Sequence, residues 1–155
     1  MTTLPDIPRL YTALAEVLAA VLYAQAMPPR MDKRLCWSIT VVWAGLLAVF
    51  LQLTGDVPLV WWIPCMTAAI GWIYLYLWGT RAMNLLEAGY SCARAFILAE
   101  LAASVEWQLH CVLWPQQGAG KPLSLVLLAV VYAALYGFCL LYTSPRPRDI
   151  SGSRM

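Results

Sequence analysis

Five apolar stretches, each near the length that crosses a bilayer and each closed by proline, glycine or charge, constrain this chain more than any other feature. A helix needs about 20 mostly apolar residues to span the hydrocarbon core, where every backbone polar group must find its partner without water. The spans are expected at about 10–27, 35–53, 59–78, 83–114 and 123–138. The first stops at Pro28-Pro29, because proline lacks a donor and its ring clashes with the preceding turn. The second ends at Thr54-Gly55-Asp56. The third carries Pro64 in its first turns, where a missing N–H costs least. The fourth is the longest and closes at Pro115, ahead of a Gln-Gln-Gly-Ala-Gly-Lys-Pro turn, and the fifth begins at Leu123 and runs through Gly137. Composition agrees with this reading: 62% of the residues are hydrophobic and only 12% charged, against roughly 25% charged in a soluble domain. That excludes a disordered region, a coiled coil and a charged nucleic-acid-binding domain. The expected fold is an all-α polytopic transmembrane helix bundle.

Orientation follows from the short loops. Arg30, Lys33 and Arg34 lie between the first and second spans and Arg81 between the third and fourth, whereas the other two connections carry Asp56 and Lys121. Basic loops face the cytoplasm, so the N-terminus is expected outside. Trp61, Trp62 and Trp114 then fall near the outer interface and Trp78 near the inner one, as interface anchors. The first span has no Lys/Arg-rich segment before it and no small-residue cleavage site, so it is expected to be retained. No period of 20 to 50 residues recurs. Cys36, Cys65, Cys92, Cys111 and Cys139 are scattered through apolar runs without a CxxC pair, and read as small apolar packing residues.

Ionisable groups inside a span are costly, so each is a candidate for function. Five stand there: Glu16 in the first span, and Arg94, Glu100, Glu106 and His110 in the fourth. At about 1.5 Å per residue from the outer helix ends, Glu106 is roughly 5 Å deep, Glu16 roughly 9 Å, Glu100 roughly 14 Å and Arg94 roughly 22 Å. Three carboxylates therefore fall in the outer half of the membrane. Arg94 leans toward the cytoplasmic face and is a weak partner for Glu100, while Glu106 and His110, four apart, pair near the outer rim. Two readings stay open. In one, an outward-opening pocket rimmed by Trp107 and Trp114, with the three carboxylates in its wall, holds a small cationic or amine-bearing ligand or a peptide. In the other, the carboxyl groups bond Ser104, Thr12 or Gln108 between helices and hold the bundle together. With one histidine, no HExxH and no Gly-rich phosphate loop, no metal site, nucleotide site or catalytic triad is expected.

The segment from Cys139 to Met155 has another character. Cys139-Leu140-Leu141-Tyr142-Thr143-Ser144-Pro145-Arg146-Pro147-Arg148-Asp149, then three residues, then Ser153-Arg154-Met155, resembles the translation of a transposase-type sequencing adapter, with Arg146 the one departure. Residues 139–155 are accordingly set apart from the natural domain, taken as 1–138. They hold three of the ten basic residues and one of the eight acidic ones. That difference is the whole net charge of +2, so the charge carries no information about partners.

The phrases Pro8-Arg9-Leu10-Tyr11-Thr12-Ala13-Leu14-Ala15-Glu16 and Ala88-Gly89-Tyr90-Ser91-Cys92-Ala93-Arg94-Ala95-Phe96-Ile97-Leu98-Ala99-Glu100-Leu101-Ala102-Ala103-Ser104-Val105-Glu106-Trp107-Gln108-Leu109 resemble the N-terminal multi-pass region of sensor proteins from anaerobic Firmicutes. These end in a cytoplasmic GHKL-type ATP-binding domain, as in the quorum-sensing AgrC-like histidine kinases. The resemblance implies a bacterial cell-membrane location and a truncated signal-sensing input domain that homodimerises. Its missing catalytic part would use ATP and Mg and pass phosphate to a response regulator. This chain would hold no catalytic residue and no cofactor of its own, and would bind the lipid bilayer and an extracellular ligand but no nucleic acid. Glu16, Arg94, Glu100, Glu106, Trp107, Gln108 and His110 are the candidate sensing or coupling residues; His110, near the outside, is not a phosphoacceptor. The competing reading is a small transporter that uses intramembrane carboxylates for proton-coupled exchange of a cationic substrate. A third is a structural partner of a larger membrane complex.

Overall fold

The computed structural model describes residues 8–55, 57–113 and 122–143. They form five helices: α1 (Arg9–Gln25), α2 (Lys33–Leu53), α3 (Leu59–Thr80), α4 (Leu85–Leu113) and α5 (Pro122–Thr143). Each expected span is a helix, and the boundaries differ for local reasons. α1 stops short of Met27 because a residue before proline is pushed out of the helical region, and the Met27 amide closes the turn on Ala24 O at 3.3 Å. α3 continues two residues past Trp78 to Thr80, and α4 starts at Leu85 rather than Met83. Residues 80–83 are taken up by a miniature antiparallel bridge between the two basic loops. Arg30 N donates to Thr80 O and Ala82 N to Pro28 O, both at 3.0 Å, pairing Pro29 with Arg81. Glu87 then starts α4 by accepting the Asn84 amide at 2.9 Å, half of a capping box. α5 runs past Phe138 into the adapter-like segment as far as Thr143; residues 144–155 of that segment lie outside the described residues.

Three helices, α2, α3 and α4, are long and apolar enough to cross a membrane. α1 has 17 residues, and the apolar stretch described on α5 covers Leu125–Cys139. The surface is apolar where that of a soluble bundle would be polar. Val41, Leu46, Val60, Ile63, Leu86 and Ile97 are all exposed, far more than a water-soluble monomer tolerates in contiguous patches.

The interior is built from small residues. α1 lies at the centre with two buried faces: Ala13, Ala20 and Ala24 pack with α2, α3 and the start of α4, while Tyr11, Ala15, Ala19 and Tyr23 pack with α4 and α5. On α4 the buried positions Ala88, Cys92, Ala95, Ala99, Ala102 and Glu106 alternate steps of four and three, the spacing of a close helix–helix seam. Where lipid surrounds the bundle, apolar surface is no driving force between helices, and small side chains that let backbones approach are what hold them together. The sequence, with Ala and Gly on every span, singled out no one seam; the structure puts the tightest one between α1 and α4, where Ala15, Ala19, Ala95 and Ala99 are all buried.

Larger polar aromatics fix the flanking helices. Trp43 of α2 stacks on Tyr76 of α3, centroids 4.1 Å apart, and donates from Nε1 to Trp72 O at 3.3 Å. Tyr132 and Tyr136, one turn apart on α5, donate to Tyr11 O and Ala15 O, one turn apart on α1, at 2.8 and 2.7 Å. These carbonyls belong to the helix ladder already, so each phenol adds a second bond and sets the register of α5. Tyr136→Phe is expected to lower stability by only about 1 kcal/mol, read as a small drop in the thermal unfolding midpoint in detergent micelles.

Candidate functional site

Arg9, Thr12 and Glu16 are spaced three and four apart and so share one face of α1. Across from them on α4 is Glu100. Between these helices and the adjoining ends of α2 and α3 lies a cavity of about 300 Å³, lined by Arg9, Thr12, Thr54, Trp62, Cys65 and Glu100 among others. Arg9 reaches over the turn after α2, where its Nη2 donates to Gly55 O at 3.1 Å. The approach is close at Gly55: a Cβ there would meet Arg9 Cγ at 3.0 Å, so a larger residue would require the Arg9 side chain to shift. The charge of Arg9 acts on the Glu100 carboxylate, and Glu100 Oε1 is buried with no hydrogen-bond partner. The pocket thus presents a cation and a carboxylate in a wall that also offers threonine hydroxyls, an indole, a thiol and the apolar side chains of Leu51 and Met66. In surroundings of low dielectric such charges act far more strongly than in water.

Glu16 lies one turn along α1 from Thr12. It is 1% exposed, neither carboxylate oxygen has a hydrogen bond, and its nearest charge effect is that of Glu100. The Glu100 carboxylate is the like charge that acts on it, and Glu16 does not line this cavity.

Most of the remaining sequence candidates lie on α4. Glu106 is fully buried and His110 is 2% exposed, so both side chains face the interior of the bundle, one turn apart. Their charges interact, but neither Glu106 oxygen accepts a hydrogen bond. The reason is their register: Glu106 continues the four-three seam of α4 inward, beside Tyr132, and His110 follows one turn later. Trp107 is buried and stacks on the His110 ring, centroids 5.1 Å apart. Trp114 lies outside the described residues, and Gln108 is exposed. The bonding expected between the carboxylates and Ser104, Thr12 or Gln108 is not made by Glu16 or Glu106. Arg94 holds its cation over the rings of Tyr23 and Tyr90, at 5.2 and 5.4 Å, and the cation that acts on Glu100 is Arg9.

Arg9 is the residue that sequence reading passed over. Counting the first span from Leu10 left it outside the membrane, although its spacing to Thr12 and Glu16 already put a cation on the polar face of α1. Among the described residues no three His, Cys, Asp or Glu side chains gather as a metal site, and the five cysteines are free thiols. No protein-family model, curated protein or solved structure matches the chain. Function therefore has to be read from the helices and the cavity themselves.

Proposed function

We propose that the chain is a five-span bundle of the bacterial cell membrane, N-terminus outside, that recognises a small ligand bearing both an amine and an acidic group, as the input domain of a sensor histidine kinase. The observation that carries the reading is the pairing of Arg9 with Glu100 in one cavity. A guanidinium binds a carboxylate by a two-pronged hydrogen bond, a carboxylate with an unsatisfied oxygen binds an ammonium, and Trp62 offers an indole face for the same cation. The basic loops at 27–35 and Arg81 support the orientation. The kinase assignment rests on the resemblance of the first-span and fourth-span phrases, within which Arg9, Glu16 and Glu100 stand.

A carrier needs a route from the pocket to the other side. Trp43, Leu47, Ala69 and Ile73, all buried, fill the space between the cavity and the basic end, which favours recognition over carriage.

Thermal unfolding of the purified chain in micelles, titrated with glycine, lysine and short peptides, tests this directly. Zwitterions are expected to raise the midpoint, and Arg9→Gln and Glu100→Gln each to weaken the response about tenfold, the loss of one charge-assisted contact. Equal stabilisation by simple amines that Arg9→Gln leaves unchanged would return the pocket to a purely cationic ligand. No response to any of these compounds would overturn the pocket reading, and uptake of labelled ligand into proteoliposomes would establish the carrier instead. Sequencing the gene across the Phe138 codon tests the kinase assignment separately: an in-frame GHKL domain supports it and a stop codon there sinks it.

A further inference from the structure

The opposite end of the bundle holds a second cavity with a different chemistry. It has a volume of about 210 Å³ and lies between the ends of α1 and α3 and the start of α2, lined by Gln25, Lys33, Cys36, Thr40, Tyr76 and Arg81 among others. Two of these side chains are cationic and none of the residues lining it is acidic. The Nε of Arg81 is buried and has no hydrogen-bond partner, a donor left over in a place where donors are rarely wasted. Lys33 is the first residue of α2, where the positive end of the helix dipole adds to the two cations and the Asp32 carboxylate at the N-cap, which makes no side-chain hydrogen bond to that turn, offsets part of it.

The floor is already satisfied. Thr40 Oγ1 donates to Cys36 O at 2.8 Å and lies 2.9 Å from the Tyr76 hydroxyl; the Cys36 thiol turns to Thr80 O. The cavity's cations are Lys33, which is exposed, and Arg81, whose buried Nε has no hydrogen-bond partner. The walls do not rest on side-chain luck, because the Pro29–Arg81 bridge ties the two loops together through the main chain and holds Arg81 opposite the start of α2. Arg30, beyond the bridge, is committed to the ring of Trp78 at 5.7 Å, which leaves the pocket to the other two.

We propose that this cavity is a phosphate-binding site, taking the phosphodiester headgroup of an anionic lipid or a free phosphate between Lys33 and Arg81. A guanidinium and an ammonium beside a helix N-terminus fit the tetrahedral oxygens of phosphate, and a basic cleft at the end of apolar helices is where an anionic headgroup sits. The site is distinct from the ligand pocket at Arg9 and Glu100, since no residue lines both cavities.

Two arms test it with the full chain and separate the sources. In the first, the protein is placed in phosphatidylcholine nanodiscs doped with phosphatidylglycerol, and retained lipid is read by native mass spectrometry after release into detergent. In the second, inorganic phosphate is titrated against tryptophan fluorescence in micelles. Lys33→Gln and Arg81→Gln are each expected to weaken binding roughly tenfold in whichever arm binds. Arg34→Gln, which removes an equal charge from the same loop, leaves it unchanged. Lys33 is exposed and the Arg81 Nε forms no hydrogen bond, so neither substitution removes a side-chain bond from that Nε or fills the core, and far-ultraviolet circular dichroism verifies the fold. Retention of phosphatidylglycerol assigns the site to lipid, and a response to phosphate alone assigns it to a soluble anion. Binding in neither arm, or a loss with Arg34→Gln equal to that with Arg81→Gln, overturns the proposal, since attraction would then be diffuse surface charge.

Discussion

Ala99→Leu is expected to destabilise the bundle by about 3 kcal/mol, the upper end of what overpacking a filled interior costs. Ala99 is fully buried in the cluster that joins α1, α4 and α5, in which α1 contributes the buried alanines Ala15 and Ala19. A leucine must push the two helices apart. Separation removes contacts along the whole four-three row from Ala88 to Glu106, and it also moves Ala15 O, to which Tyr136 of α5 donates. The effect should therefore spread to three helices. Ile97→Leu, on the exposed side of α4 two residues away, is the matched control and should change stability by less than about 0.5 kcal/mol. Unfolding of both variants by sodium dodecyl sulfate titrated into mild micelles, followed by circular dichroism, gives the comparison. Equal stabilities would mean that α1 and α4 are not closely packed at this level.

That seam shows what could be read in advance and what could not. Apolar length and the Pro28-Pro29, Thr54-Gly55 and Pro115 breaks located all five helices, because a break in a membrane-length apolar run has few other meanings. Which helices touch was not legible from alanine content, since Ala is frequent on every span. Position identifies the buried face of α4 but not its partner helix: 88, 92, 95, 99, 102 and 106 step by four and three, and the carboxylates are informative because Glu106 occupies a place in that row where a small residue is the rule. Glu16 does the same on α1. Depth counted along a helix grouped Glu16, Glu100 and Glu106 together, but depth ignores azimuth. Azimuth decides that Glu100 lines a cavity with Arg9 while Glu106 turns into packing beside Tyr132 and His110. Hidden more deeply still was the role of Arg9, whose guanidinium is placed by a main-chain carbonyl 46 residues away.

Glu16→Met is expected to raise stability, by about 1–3 kcal/mol, and to impair ligand response. Most substitutions at a site only 1% exposed destabilise, so a gain is a demanding outcome. The reasoning starts from what the carboxyl group does in the folded bundle. Neither oxygen accepts a hydrogen bond, and the charged neighbour that acts on it is another carboxylate, Glu100. Removing it leaves no hydrogen-bond partner orphaned, which is the usual reason a buried polar deletion is expensive. Methionine has a similar volume and a flexible chain, so it fills the same space between α1 and α4 without forcing them apart. What remains is the free energy of holding a polar group away from water without compensation, and replacing such groups by apolar residues of like size is neutral or stabilising. Glu16→Gln, which keeps a polar group buried at the same place, should gain little. Thermal midpoints of the three proteins in micelles, measured without ligand, decide the point. A loss of stability in Glu16→Met would mean that the carboxyl group is a strut of the fold. A gain accompanied by a weaker response to zwitterions would mean that it is retained against stability, as a group that biases Glu100 across the seam.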